Sequence, residues 1–467
     1  MLFNTYSFLF GFLPVVLLGW WGLKPWRRLR LAFLTAASWF FYAWWDWRFL
    51  PVLILATSVD FVAGHWIARS QDEWRRRALL VVSLATNLGI LAYFKYAGFF
   101  LGSLNGIGKA VGLDPQLPSL HILLPIGISF YTFNSMSYTI DIFRRRIEPT
   151  RSVLEYTTFV SLFPHLIAGP IVRFTDLAEQ LRRLPSKLSS EQASLGLFFL
   201  GCGLVKKLLI ADQLNPYVSQ LYASSGHLGL LTAWAAAIGY SLELYFDFSG
   251  YSDMAVGLAW LLGFRFPQNF NSPFKAQNIS DFWRRWHMSL STWFRDYLFI
   301  PLGGSRHGTS KTVRNLFVVM LLVGLWHGAA WTFIVWGLVH GVLLGGHALF
   351  RRAGLTPRSA VLNRSITFAV VCAAFVIFRA PSLGSAGDIL SSMAGLNGLD
   401  PAARLQALVP MKFALLVGAL LLFVHLAPNT WQIRIQPRVW QGAAVGAAAA
   451  LAVMTVAQPH PFIYFQF

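Results

Sequence analysis

The chain has 467 residues, 56% of them hydrophobic and only 12% charged, with 40 Phe and 19 Trp. Those proportions exclude a string of soluble domains and describe a polytopic membrane protein. The formal charge of +19 is spread over short basic segments between apolar runs, KPWRRLR (24–30), RSQDEWRRR (69–77), RRRIEPTR (144–151) and the 351–364 stretch. That is the pattern of loops kept in the cytoplasm, and no basic face with stacking aromatics assembles a nucleic-acid groove.

Apolar windows predict spans at 2–22, 31–45, 50–68, 78–101, 121–140, 193–214, 228–246, 313–331, 332–350, 361–380, 411–427 and 439–457, each near the roughly 20 residues that a bilayer requires. The amino terminus lacks a basic leader and a small-residue cleavage site, so it reads as a retained first span. With the first basic loop inside, both termini fall outside. The later basic loops, including IRIQPR (433–438), then fall inside, and the weakly charged loops 102–120, 215–227 and 381–410 fall outside. Within the 102–120 loop, GSLNGIGK (102–109) resembles a phosphate loop but has five residues, not four, between its first glycine and the Gly-Lys pair.

Three places break the simple pattern. VSLFPHLIAGPIVRF (160–174) is apolar but interrupted by Pro164, Gly169 and Pro170, which suits a segment that enters and leaves on one side under a cover of protein. Lys206 and Lys207 sit inside a predicted span, where charges face a cavity or a partner unless the boundary is misplaced. Residues 247–312 are too polar to cross and too aromatic for a free loop.

In that insert, DFWRRWHMSLSTWFRDYL (281–298) predicts one amphipathic helix in the interface plane. Phe282, Trp283, Trp286, Leu290, Trp293, Phe294, Tyr297 and Leu298 share an arc opposite Arg284, Arg285, Arg295 and Asp296. His287 falls at the edge of the apolar arc, and satisfaction by a nearby backbone carbonyl remains one reading of it. Upstream, Asp247, Ser249, Asp253, Asn269, Asn271 and Asn278 read first as caps and turn formers. Downstream, PLGGSRHG (301–308) offers a flexible loop with Arg306 and His307, a weak anion signal on its own.

LLVGLWHGAAWTF (321–333) carries His327 in the middle of an apolar run. Lipid gives an imidazole no partner, so something else faces it. There is no G-x-S-x-G nucleophile elbow and no H-E-x-x-H motif, and the eleven histidines show no tight metal-ligand spacing. A neutral imidazole accepts protons near pH 7. Placed against a hydroxyl, His327 suits a general base for direct transfer from an activated donor, although a structurally satisfied histidine remains open.

The run LWHGAAWTFIVWGLVHG (325–341), the block FDFSGYSDMAVGLAWLLGF (246–264), the block DFWRRWHMSLSTWFRDYLFIPLGG (281–304), FPHLIAGPIVRF (163–174) and PFIYFQF (461–467) resemble the membrane-bound O-acyltransferases. Within that family they resemble the bacterial branch of alginate O-acetylation proteins and teichoic acid D-alanyl transferases. The resemblance implies an all-α fold of about 11–13 spans in a single membrane domain over 1–467, ringed around a central funnel. It implies catalytic roles for His327 and His287, and it gives Asn278, Asp281, Trp283, Arg284 and Arg285 a place beside the donor entry. It implies no bound cofactor or metal, with acetyl-CoA or another acyl thioester as donor substrate. An extracytoplasmic serine-type acetyltransferase would be the partner, acting on a polysaccharide, with the chain in the bacterial inner membrane. D-alanyl transfer from a carrier protein is one alternative, and a proton-relay transporter is another.

Overall fold

The computed structural model describes residues 1–113, 116–120, 122–355, 359–433, 439–454 and 462–463, the side chains of 439–444 apart. The described residues form helices and no strand. The first nine are α1 (Leu13–Gly22), α2 (Arg27–Asp46), α3 (Leu50–Arg69), α4 (Glu73–Leu91), α5 (Ala97–Ala110), α6 (Ile128–Phe143), α7 (Val153–Ser161), α8 (Phe163–Leu166) and α9 (Phe174–Arg182). Next come α10 (Ser190–Leu204), α11 (Asp212–Ala223), α12 (Leu230–Leu261), α13 (Ile279–Trp283), α14 (Met288–Phe294), α15 (Thr309–His327) and α16 (Trp331–Arg352). The last are α17 (Ala360–Arg379), α18 (Leu383–Met393), α19 (Ala402–Leu408), α20 (Met411–Leu426) and α21 (Val439–Met454).

Among the described residues, five helical stretches are long and apolar enough to cross a bilayer, and a sixth qualifies if the bent pair α19–α20 counts as one span. A helix stands at every span predicted from sequence, but several are too short or too polar for length and composition alone to make them crossings. Large apolar side chains stand exposed on the helices, Leu18, Trp47 and Met411 among them, as a lipid-facing surface requires.

The helices divide into two compact units, 1–197 with 255–267 and 198–254 with 268–467. In the first, α3, α4 and α6 meet around Asp60, whose carboxylate accepts from Ser83 Oγ at 2.6 Å and from Asn87 Nδ2 at 2.8 and 2.9 Å. Buried carboxylates are tolerated when they are hydrogen-bonded in this way. The predicted broken segment is present: Pro164 opens the single turn of α8, an irregular stretch follows, and residues 160–172 are buried throughout. Protein therefore covers its irregular backbone. Gly127, at φ +77°, begins α6 so close to this segment that a Cβ there would lie 2.6 Å from the carbonyl oxygen of Leu166.

In the second unit, α10 runs into α11 through a π-helical stretch, Val205–Ala211. Gly203 and Gly250 let this helix approach α12: a Cβ on Gly203 would lie 2.6 Å from Gly250 O. The approach brings Lys206 Nζ to 2.6 Å from Asp253, and Lys207 Nζ to 2.8 Å from Asp212 and 2.7 Å from Asp247. Each lysine in the predicted span thus meets a carboxylate, which leaves the span boundary where the hydropathy put it. Asp400 reaches across from its loop to cap α12, accepting from the backbone of Gly229, Leu231 and Thr232 at 2.8–3.0 Å.

Helices α15 and α16 form the tightest hairpin of this unit. A Cβ on Gly324 would lie 2.3 Å from Phe333 O, and one on Gly337 would lie 2.4 Å from Met320 O. Only glycine permits that backbone contact.

Three expectations need correction. The helix over the span predicted at 228–246 continues to Leu261, so the stretch expected to leave the membrane from 247 begins inside this helix. The predicted outer loop 102–120 is helical as far as Ala110. The single amphipathic helix over 281–298 is broken at 284–287, between α13 and α14. There the chain leaves the helix to pair with a distant segment, Asn271 N donating to Arg285 O and Met288 N to Asn269 O, both at 2.9 Å. The basic loop predicted at 433–438, apart from its first residue, and most of 461–467 lie outside the described residues.

Candidate functional site

His287 sits in the break between α13 and α14 with φ 42° and ψ 55°. The left-handed region costs a non-glycine residue about 1–3 kcal/mol, so neighbours must hold it there. Asn269 does so with both ends of its side chain and with its backbone. Its Oδ1 accepts from Ser289 N at 3.3 Å and Ser289 Oγ at 2.9 Å, and it lies 3.2 Å from His287 Nδ1. Its Nδ2 donates to Ser252 Oγ at 3.1 Å. A backbone N–H can only donate, so the Ser289 bond identifies the Asn269 atom as oxygen. His287 Nδ1 must then be the donor, and the neutral ring keeps its basic lone pair on Nε2. His287 is fully buried, and burial pushes the imidazole pKa down to about 3, so the ring is neutral.

His327 is the last residue of α15. The apolar run that contains it is therefore a helix end, a three-residue turn and the start of α16, not one continuous helix. Gly328 makes the turn possible at close quarters, since a Cβ there would lie 2.1 Å from the Phe333 ring. His327 is only 4% exposed, and three aromatic rings surround it edge to face. Trp326, Trp336 and Phe378 have ring centroids 5.0, 5.1 and 5.1 Å from the imidazole. Trp326 also meets His287, at 5.9 Å. The two histidines thus share one indole, and protein rings rather than lipid face His327.

Trp336 continues the cluster. It packs against His340, one turn along α16, at 4.6 Å, and against Trp283 at 5.8 Å. Trp283 Nε1 donates to His340 Nδ1 at 3.2 Å. Of the residues expected near a donor entry, Trp283 therefore belongs to the histidine cluster. The other four make their bonds elsewhere or face outward. Asn278 caps α13 by accepting from Asp281 N at 2.8 Å; Asp281 pairs with Arg285 Nε at 2.9 Å; and Arg284 is exposed. Asn278 also lines a cavity of about 190 Å³ together with His347, Asn363 and Thr367.

From sequence, Asn269 reads as a turn former, and Trp336, His340 and Phe378 carry no role. The i, i+4 spacing of Trp336 and His340 is a usable signal for a shared helix face. The contact of Asn269 with His287, by contrast, depends on a loop path that no periodicity encodes. Asp247 and Asp253 also differ from expectation, since they are buried ion-pair partners of lysines rather than caps. Asp247 in addition accepts from Ile463 N at 2.9 Å.

Residues 3–383 match the family model described as MBOAT, membrane-bound O-acyltransferase family. The chain is 44% identical to the probable alginate O-acetylase AlgI of Azotobacter vinelandii over 84% of this chain and 78% of that protein. It is 38% identical to the peptidoglycan O-acetyltransferase of Helicobacter pylori over 86% and 81%. It is 32% identical to the teichoic acid D-alanyltransferase of Bacillus subtilis over 57% and 71%.

Proposed function

The chain belongs to the membrane-bound O-acyltransferase family, a multi-pass membrane O-acyltransferase, and from that premise we propose that it takes an acetyl group from a cytoplasmic thioester and passes it outward for O-acetylation of a polysaccharide. The observation that carries the reading is His327 at the end of α15, buried among aromatic rings and sharing an indole with His287. A histidine so placed holds a proton acceptor away from water, among aromatic rings.

In this reading His327 takes the proton of the acceptor hydroxyl as its oxygen attacks the thioester carbonyl. It then returns that proton to the leaving thiolate, so no net proton is consumed. General base catalysis of this kind contributes roughly 10²–10⁴ in rate. His287, fixed by Asn269 with its lone pair on Nε2, orients the acceptor or the donor beside that step. Trp283 supports the cluster from α13, while Asn278, Asp281, Arg284 and Arg285 form the surface on which the donor's polar part arrives. The donor is acetyl-CoA, and the final acceptor is reached through an extracytoplasmic serine-type transferase, since the chain carries no nucleophile elbow of its own. In this reading the chain lies in the bacterial inner membrane with both termini outside.

Acetyl is favoured over D-alanyl by the extent of similarity. The O-acetyl-transferring relatives align over 84–86% of this chain, the D-alanyltransferase over 57%. Reconstitution of the full chain with its partner tests the choice. Transfer of label from radiolabelled acetyl-CoA supports it, and transfer only from a D-alanyl carrier protein replaces it with the alternative.

A further inference from the structure

Two buried N–H donors stand beside the His327 cluster. Trp283 Nε1 is a donor only, so His340 Nδ1, 3.2 Å away, must accept. The proton of the His340 ring is then on Nε2, and while Nδ1 accepts the ring cannot become an imidazolium. His340 is fully buried, and among the described residues its Nε2 has no hydrogen-bond partner. The same holds of Trp336 Nε1, on a side chain that is 1% exposed. The two rings lie 4.6 Å apart on one face of α16, and Trp336 lies 5.1 Å from His327. Buried donors are paired in the great majority of cases. Two together, on adjacent side chains, one of them locked into its donor tautomer by a third residue, mark a place built to receive an acceptor atom.

We infer that His340 Nε2–H and Trp336 Nε1–H form a donor pair for the carbonyl oxygen of the acyl thioester. The inference rests on the acyl-transfer reading above. As the acceptor hydroxyl oxygen bonds to the carbonyl carbon, the C=O electron pair moves onto the carbonyl oxygen and the hydroxyl proton moves to His327. The resulting oxyanion is held by the two N–H groups. Collapse re-forms C=O, breaks C–S, and the thiolate takes the proton from His327. Donors fixed in advance toward developing charge in a water-poor site lower the barrier without reorganising. Trp283 is then a positioning residue, which accounts for its burial away from the other expected donor-binding side chains.

The test uses the reconstituted full chain with its partner and radiolabelled acetyl-CoA, comparing wild type with His340→Leu, His340→Gln and Trp336→Phe. Removal of one such donor costs roughly 10²–10³ in kcat. We expect that loss in His340→Leu with KM little changed, a partial recovery in His340→Gln, which restores an N–H, and a loss in Trp336→Phe. Melting temperature in detergent supplies the readout that separates function from structure. Trp336→Phe removes a buried N–H that has no partner among the described residues and should leave it unchanged or raise it, whereas His340→Leu also strips Trp283 Nε1 of its acceptor and should lower it. Wild-type kcat in both His340→Leu and Trp336→Phe would overturn the inference, as would a melting temperature in Trp336→Phe that falls in step with its activity. Failure of the wild-type protein to transfer label from any acyl thioester would instead remove the acyl-transfer reading itself.

Discussion

Asn269→Ala removes the acceptor that holds His287. Two buried N–H donors lose their bond to it, His287 Nδ1–H and Ser289 N–H, along with the Ser289 hydroxyl. Leaving a buried donor unsatisfied costs about 1–3 kcal/mol, so the two together cost about 2–6 kcal/mol of stability. His287 also loses the contact that keeps it at φ 42°, and relaxation out of the left-handed region would swing its imidazole away from Trp326. Loss of a supporting hydrogen bond to a functional histidine typically costs roughly 10–100-fold, and we expect a fall of that size in kcat. Asn269→Asp keeps the acceptor oxygen and lets the Ser252 hydroxyl donate where it now accepts, and so should lose less stability than alanine. Its negative charge, placed beside Nδ1, would raise the His287 pKa, so activity in this variant should decline at low pH where wild type does not. The assays are thermal unfolding in detergent by fluorescence-detected size exclusion and label transfer from acetyl-CoA across a range of about pH 5–8. An alanine variant with wild-type melting temperature and wild-type kcat would refute the claim that Asn269 holds His287.

Other regions yield independent outcomes. Gly324→Leu drives a side chain into the backbone of α16, since its first carbon would stand 2.3 Å from the Phe333 carbonyl oxygen. Overpacking usually costs about 1–3 kcal/mol; here backbone must move, so the thermal unfolding assay should show a loss at the upper end together with low activity. Lys207→Met leaves Asp247 and Asp212 without their cation. Breaking a buried pair from one side costs about 3–5 kcal/mol, and we expect poor recovery of folded protein on size exclusion, partly restored by Lys207→Met combined with Asp247→Asn. For Asp400, burial opposes ionisation, but the Thr232 hydroxyl and the backbone N–H groups of Thr232, Gly229 and Leu231 outweigh it and hold the carboxyl below its ordinary range. A depressed carboxylate stabilises the fold above its unfolded pKa and ceases to as pH falls through the folded one. The melting temperature should therefore drop on acidification below about pH 4 less steeply in Asp400→Asn than in wild type.

Helix positions were legible because an apolar run of membrane length leaves the backbone few options besides a helix. Resemblance gave His287 and His327 a role each, but their meeting through Trp326 was not legible, since the two are separated in sequence. The break at 284–287 was not legible. The arc of Trp286, Leu290 and Trp293 fits a helix, and what ends α13 is hydrogen bonding from Asn269 and Asn271, residues that look like ordinary turn formers. The extension of α12 to Leu261 was hidden for a different reason. Asp247 and Asp253 read as too polar for a span until Lys206 and Lys207, on another helix, neutralise them. Long-range pairing of charges and of loop backbone is what local periodicity omits.

Single-turnover transfer in the His327→Ala variant, with donor binding measured on the same preparation, tests the central claim most directly. Our account predicts that the variant binds acetyl-CoA as wild type does, keeps its melting temperature within a few degrees, and transfers label at least roughly 10²-fold more slowly. Transfer at the wild-type rate by a folded His327→Ala protein would contradict it.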